Sequence, residues 1–408
     1  MKKTELLAPA GNPEKMKAAF HYGADAVYLG GKLFNLRAGS GNFSDEELQA
    51  AVPYAHGSGK KIYVTLNVIP HNEELRQLPA YVRFLEKTGV DGVIVADLGV
   101  FQIVREESAL PVSVSTQASC TNWRAVDMWK RLGAKRAVLA REITLEEIRE
   151  IRERVPGIEL EVFVHGAMCM SVSGRCLLSN YLTGRDANRG DCAQACRWKY
   201  AVVEEKRPGQ YMPVLEDARG SYIFSSKDLC TVEFLDRIIK AGADSLKIEG
   251  RMKGVWYVAN SVKVYREALD SYEAGRYNPD PRWTQVLESI SNRLYTPGFY
   301  LGNPGGEAQN IKETRSYFQS RQLAAVVTEK RPGNLYVLSV RNRIRAGETL
   351  EAVRPRKPVK DLRLPAMTLL TKEAEEPVEH ANPNSSVLVK IDTELEVMDM
   401  LGRKMDVT

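Results

Sequence analysis

Four segments of this 408-residue chain share one punctuation: YGADAVYLGG from Tyr22, TGVDGVIVAD from Thr88, LGAKRAVLAR from Leu132 and AGADSLKIEG from Ala241. In each, a glycine closes an amphipathic run, a short polar turn follows, and mostly apolar residues come next. A glycine just past a helix end takes the left-handed conformation that stops the helix. The apolar run after it suits a strand covered on both faces, as in a parallel sheet. GKKIYVTLN, LPVSVSTQA, PGIELEVFVHG and the opening KTELLAPAG supply four further strands. The eight centre near Leu7, Val27, Val64, Ile94, Val114, Val138, Val162 and Ile248, with helical runs between most of them. Two helix starts are explicit: Asn12-Pro13 is an N-cap with a first-turn proline, and Thr144-x-x-Glu147 is a capping box.

Eight alternating units predict a parallel (β/α)8 TIM-like barrel. An open doubly wound sheet is the competitor, but no Gly-rich dinucleotide fingerprint follows the first strand. In such barrels chemistry sits at the C-terminal strand ends, which here carry Asn67, Asp97, Gln117, Arg141, Glu142, His165, Lys247, Glu249 and Arg251. Any one of these is equally well explained as a strand cap or half of an ion pair. Convergence of the set on one mouth favours a ligand site. His165, Glu249 and Arg251 are the catalytic candidates; Arg141, Lys247, Asn67 and Gln117 are candidates for holding a cofactor or co-substrate.

The connection from the seventh strand to the eighth breaks the repeat. It runs for about eighty residues, far more than one helix needs, and holds five of the six cysteines. The expected organisation is a barrel over 1–275 with a Cys-rich insertion at 166–230, a Pro/Gly-rich connector over 276–320, and a small β-barrel over 321–408. That last domain is basic: between Arg321 and Lys372 there are twelve Lys or Arg against four Asp or Glu, although the whole chain carries only +5. Such a surface is either simply solvated or meets a polyanion. No stretch approaches the ~20 apolar residues of a membrane helix, and the N-terminus lacks the apolar run of a signal peptide. The expectation is a cytoplasmic protein with no membrane partner, whose thiols stay reduced.

The cysteines read Cys169-x6-Cys176-x15-Cys192-x3-Cys196, with Cys230 after 33 more residues. This fits no stock zinc-knuckle or ferredoxin spacing, yet four thiolates satisfy either tetrahedral zinc or a 4Fe–4S cluster. Five candidates for four positions leave one over. A nucleophilic Cys169 with His165 as its base is the rival reading. Cys120 reads as a buried structural cysteine.

Glu161-x-Phe163-x-x-Gly166-Ala167-Met168-Cys169-x4-Gly174-x-Cys176-x-Leu178-Ser179 resembles the signature of the collagenase-like peptidase family of unknown mechanism. ELLAPAGNPEK, SSKDLC and KIEGRMK resemble the same family, and the likeness runs along essentially the whole chain. Protease activity is reported for some members; others are oxygen-independent hydroxylases of tRNA, ribosomal RNA or quinone precursors. Length and the C-terminal domain are most similar to the bacterial branch that makes 5-hydroxyuridine at the tRNA wobble position. That resemblance implies prephenate as co-substrate, the tRNA anticodon stem–loop as partner, and an electron-transfer protein. It also implies a 4Fe–4S cluster on Cys169, Cys176, Cys192 and Cys230, with Cys196 as the alternative fourth ligand and zinc as the alternative metal. The competing functions are peptide hydrolysis, by Cys169 with His165 or by zinc, and hydroxylation of ribosomal RNA or a quinone precursor. Arg141, Lys247 and Arg251 would suit a dicarboxylate such as prephenate through charge-assisted hydrogen bonds.

Overall fold

The computed structural model describes residues 3–35, 41–168, 227–303, 317–371 and 374–405, together with the backbone of four short strands between 201 and 222. Seven strands precede the insertion: β1 (Glu5–Pro9), β2 (Ala26–Leu29), β3 (Lys61–Leu66), β4 (Gly92–Val95), β5 (Val112–Val114), β6 (Arg136–Val138) and β7 (Glu159–Ala167). Within the insertion, β8 (Ala201–Val203) pairs with β9 (Tyr211–Pro213), and β10 (Leu215–Asp217) with β11 (Gly220–Tyr222). Next come β12 (Asp228–Cys230), β13 (Ser245–Ile248) and β14 (Tyr295–Thr296). Strands β1 to β7 pair in parallel in sequence order, and β13 pairs in parallel with both β7 and β1. The ring is closed, and its eight strands are the four that the glycine-stop pattern predicts and the four further apolar runs.

The helices are α1 (Pro13–His21), α2 (Asp45–His56), α3 (Asn72–Leu75), α4 (Leu78–Thr88), α5 (Leu98–Glu107), α6 (Trp123–Leu132), α7 (Leu145–Arg154), α8 (Leu235–Lys240), α9 (Val255–Glu273) and α10 (Pro281–Ser289). The expected caps form. Asn12 Oδ1 accepts from the Lys15 amide at 2.9 Å, and Thr144 and Glu147 close a capping box. Gly89 and Gly133 end α4 and α6 at φ +84° and +101°, where a β-carbon would be strained.

Two departures from the plain barrel position the site. First, β7 is nine residues long and overruns the ring. Strand β12 lies antiparallel along that overrun, with Cys230 opposite His165, Leu229 opposite Gly166 and Asp228 opposite Ala167; β14 then adds beside β12. Second, β7 and β13 slip register between Lys247 and Ile248, so that Ile248 rather than Glu249 stands beside His165.

The C-terminal domain is an eight-stranded antiparallel sheet around its own apolar core, which includes Tyr336, Leu338, Leu350 and Leu401. Its strands begin with β15 (Arg321–Arg331) and end with β24 (Met400–Lys404). The domain docks on α1 and α9 of the barrel. Tyr22 donates to the Val353 carbonyl at 2.7 Å, His21 meets Asp399 at 2.8 Å, and Val326, Val353 and Met400 join the barrel's core. Gly402 is required there: an added β-carbon would stand 2.5 Å from the Trp256 ring. No helix among the described residues is long and apolar enough to cross a membrane.

Candidate active site at the barrel mouth

The barrel lumen has a charged floor. Glu161 on β7 accepts from Lys247 of β13 at 2.7 Å and from Arg136 of β6 at 2.9 Å, and Arg136 also reaches Glu5 at 2.7 Å and Glu159 at 2.8 Å. Burial alone would raise the Glu161 carboxyl, but the two cations outweigh it and hold the group below its ordinary value. Burial also lowers the Lys247 ammonium, with Glu161 opposing. Lys247 further sits 4.3 Å from the centre of the Tyr28 ring, a cation–π contact. The expectation of Lys247 as a mouth cation held ready for a ligand is therefore revised. It lies one layer down, committed to Glu161.

Above the floor the polar side chains tie loops of different strands together. Arg251, in the turn after β13, is 3% exposed. It donates to Thr65 of β3 at 2.9 Å and to the side-chain oxygens of Asn35 and Asn42 in the loop after β2, at 2.8 and 2.9 Å. Gly30 makes room for this fork, since a β-carbon there would lie 2.7 Å from the guanidinium. Asn67 and Gln117, after β3 and β5, bond each other twice, at 2.7 and 3.1 Å, and Ser115 adds a third contact at 3.1 Å. Arg141, after β6, donates to the Ala167 carbonyl at 2.7 Å and lies 4.0 Å over the Phe163 ring. Arg251 and Arg141 thus stand just past the ends of β13 and β6, both buried and each tying its own loop to a neighbouring one. Glu142, beside Arg141, is half-buried, and its buried Oε2 has no hydrogen-bond partner among the described residues.

The remaining strand-end residues divide. Asp97 caps α5, its Oδ1 accepting from the Val100 amide at 3.0 Å. The Glu249 backbone bonds the β7 overrun through the His165 carbonyl at 2.9 Å, and its own carbonyl accepts from Tyr257 at 3.1 Å. His165 is 1% exposed and lies among three tyrosine rings: Tyr257 and Tyr265 of α9 at 5.7 and 5.4 Å, and Tyr295 of β14 at 5.4 Å. Among the described residues neither of its ring nitrogens has a hydrogen-bond partner, and burial pushes its pKa down to about 4. It is enclosed beneath α9, not open to the mouth as a pocket wall would be.

Residues 169–200, which hold Cys169, Cys176, Cys192 and Cys196, lie outside the described residues. Among the described residues no three His, Cys, Asp or Glu side chains converge as a metal site. Cys230, which the resemblance implies as a cluster ligand, is the one cysteine of that set among the described residues. It is half-buried on the strand that flanks the mouth, its Sγ lies 3.8 Å from the Tyr265 hydroxyl, and burial pushes its thiol up to about 11. The strand is held firmly, because Asp228, two residues earlier, takes the buried Arg293 guanidinium at 2.7 and 2.9 Å. Cys120 is fully buried in the main core, with its thiol likewise raised to about 11 by desolvation. Sequence reasoning missed Asn35, Asn42 and Thr65 around Arg251, and the Asp228–Arg293 pair. Only FNL after the second strand hinted at the first group.

A closed parallel barrel with a cationic rim, flanked by a cysteine-bearing strand and carrying a docked antiparallel domain, defines a TIM-like enzyme of two-domain type. The chain belongs to peptidase family U32. That family matches residues 11–310, and the peptidase family U32 C-terminal domain matches residues 319–401. The chain is similar to tRNA hydroxylation protein P of Escherichia coli, 39% identical over 395 residues, covering 87% of each chain. To tRNA hydroxylation protein P1 of Bacillus subtilis it is 42% identical over 357 residues, 87% of this chain and 84% of that one. A collagenase of Porphyromonas gingivalis is 34% identical over 316 residues, 74% of this chain and 75% of the other. Among solved structures, a U32 peptidase overlays with a TM-score of 0.40 at 17% identity, across 61% of this chain and 94% of that one.

Proposed function

We propose that this enzyme hydroxylates tRNA, converting the wobble uridine to 5-hydroxyuridine. The observation that carries this reading is the likeness to proteins named for tRNA hydroxylation, at 39% and 42% identity and over 87% of the chain. The rim supports it. Arg251 and Arg141, fixed by Thr65, Asn35, Asn42 and Ala167, present guanidiniums suited to a carboxylate-bearing co-substrate, for which prephenate is our candidate. Asn67 and Gln117, locked to each other, would present the rim's amide edges to a base reaching into the mouth. A base must leave its stack to enter such a site.

Replacing C–H by C–OH at the uracil ring, with water as the oxygen source, releases two electrons and two protons, so an electron acceptor belongs in the reading. A 4Fe–4S cluster would supply one-electron steps, with Cys169, Cys176, Cys192 and Cys230 as its thiolates, Cys196 as the alternative fourth, and an electron-transfer protein as partner. The C-terminal domain supports an RNA partner. Arg343 and Arg345 are exposed, at and beside the short strand Ile344–Arg345, just after Arg341, which pairs with Glu14 at the start of α1 and so on the mouth side of the barrel. Hydrolysis by a Cys169–His165 pair finds less support, because His165 is enclosed by tyrosines and stands opposite Cys230.

The test is tRNA from a strain lacking the gene, digested to nucleosides and analysed by mass spectrometry. Loss of 5-hydroxyuridine and its derivatives is expected. Their persistence, with no second gene of the family present, would sink the reading.

A further inference from the structure

The corner where β7, β12 and α9 meet contains polar atoms that packing does not explain. His165 is 1% exposed, and among the described residues neither ring nitrogen has a partner. Its neighbours are three tyrosines, yet none of their hydroxyls serves it. Tyr257 donates to the Glu249 carbonyl at 3.1 Å, Tyr265 to the Val164 carbonyl at 2.6 Å, and Tyr295 to the Leu287 carbonyl at 2.8 Å. Buried N–H groups are nearly always paired, so an imidazole kept in such a cage is an anomaly unless a partner arrives.

The pairing of β7 with β12 supplies one. Cys230 stands directly opposite His165 in an antiparallel pair. Directly opposite residues project to the same face, with β-carbons roughly 5 Å apart. Tyr265 touches both: its ring lies 5.4 Å from the imidazole, and its hydroxyl 3.8 Å from the Cys230 sulfur. The cysteine and the orphaned imidazole therefore share one desolvated corner. Arg293 locks that corner from behind through Asp228.

We propose that His165 donates a hydrogen bond to the Cys230 sulfur, or to the cluster sulfur beside it, when Cys230 ligates the iron–sulfur centre. His165 is then a positioning residue that tunes the centre's redox potential and not the base of a nucleophilic cysteine. This rests on the cluster reading given above. Hydrogen bonds to cluster sulfurs stabilise the more negative, reduced state and raise the potential.

The test uses the anaerobically purified full chain. His165→Phe keeps an aromatic ring among the tyrosines and removes both nitrogens; His165→Gln restores a donor. The expected result is wild-type iron and sulfide content in both, a midpoint potential shifted negative in His165→Phe, and a value nearer wild type in His165→Gln. Wild-type protein labelled with nitrogen-15 histidine gives an independent reading without substitution. Pulsed electron paramagnetic resonance of the reduced centre should detect a weak nitrogen coupling that His165→Phe lacks. An unchanged potential in a fully loaded His165→Phe protein, or no histidine coupling in the wild type, overturns the proposal. Wild-type protein that binds no iron and sulfide overturns the cluster reading itself, and this inference with it.

Discussion

The barrel floor and the His165 corner are both buried and both polar, but they are built on opposite terms. On the floor, Glu161 and Arg136 are matched by Lys247, Glu5 and Glu159 at 2.7–2.9 Å. In the corner, an imidazole of similar burial has no partner among the described residues, while the tyrosines around it spend their hydroxyls on backbone carbonyls. A satisfied buried network is a structural element. An unsatisfied one marks where a further group is expected to bind.

The largest effect should come from breaking the floor. Glu161→Ala leaves two buried cations without their shared carboxylate, a loss of about 3–5 kcal/mol to be read from urea unfolding. Acid should separate the regions next. His165 is held neutral with a pKa of about 4 against 6.5 for the free side chain. Between these values the unfolded chain binds a proton that the folded chain does not. Stability is thus full above pH 6.5 and falls as pH drops toward 4, by on the order of 3 kcal/mol. Glu161, whose pKa is depressed, adds a further loss only as pH falls below the ordinary carboxylate range. His165→Phe should remove the first limb and leave the second. A fully retained limb between pH 6.5 and 4 would assign it to another group.

Smaller effects test the rim and the RNA surface. Arg251→Lys keeps the charge but loses the fork to Thr65, Asn35 and Asn42. It should reduce modification roughly tenfold, worth ~1.4 kcal/mol, when assayed at a temperature where both proteins are fully folded. Replacing exposed Arg343 and Arg345 together by Ala should weaken tRNA binding and lower the salt slope by about one to two units. An unchanged slope would move the RNA contact elsewhere. Smallest is the neutral-pH stability change of His165→Phe. It should stay within about 1 kcal/mol of wild type, since no hydrogen bond is lost. A loss as large as that of Glu161→Ala would place His165 with the floor.

The barrel was legible because its signal is local. A glycine stop, a polar turn and an apolar run recur within ten residues four times, and four further apolar runs complete the eight strands. Asn12 and Thr144 cap as their neighbours dictate. What the chain hid is long-range. Lys247 reads as a polar strand end until Glu161, 86 residues earlier, is seen to take its ammonium. His165 sits four residues before Cys169 and invites that pairing, yet a three-residue strand brings Cys230 opposite it instead. Nothing in three residues announces an antiparallel strand at a barrel's edge. The basic run of the C-terminal domain was likewise half-legible. Arg321 and Arg356 are engaged by Glu351 and Asp270, and Arg341 by Glu14, so part of the positive excess moors the domain.

The central claim is that this barrel's mouth hydroxylates tRNA. Its most direct test is nucleoside mass spectrometry of tRNA from a deletion strain complemented with wild-type protein or with folded Arg251→Lys. The account predicts that 5-hydroxyuridine derivatives return with the wild type and only in small part with the variant. Equal return with both would contradict a role for the mouth, and no return with the wild type would contradict the function.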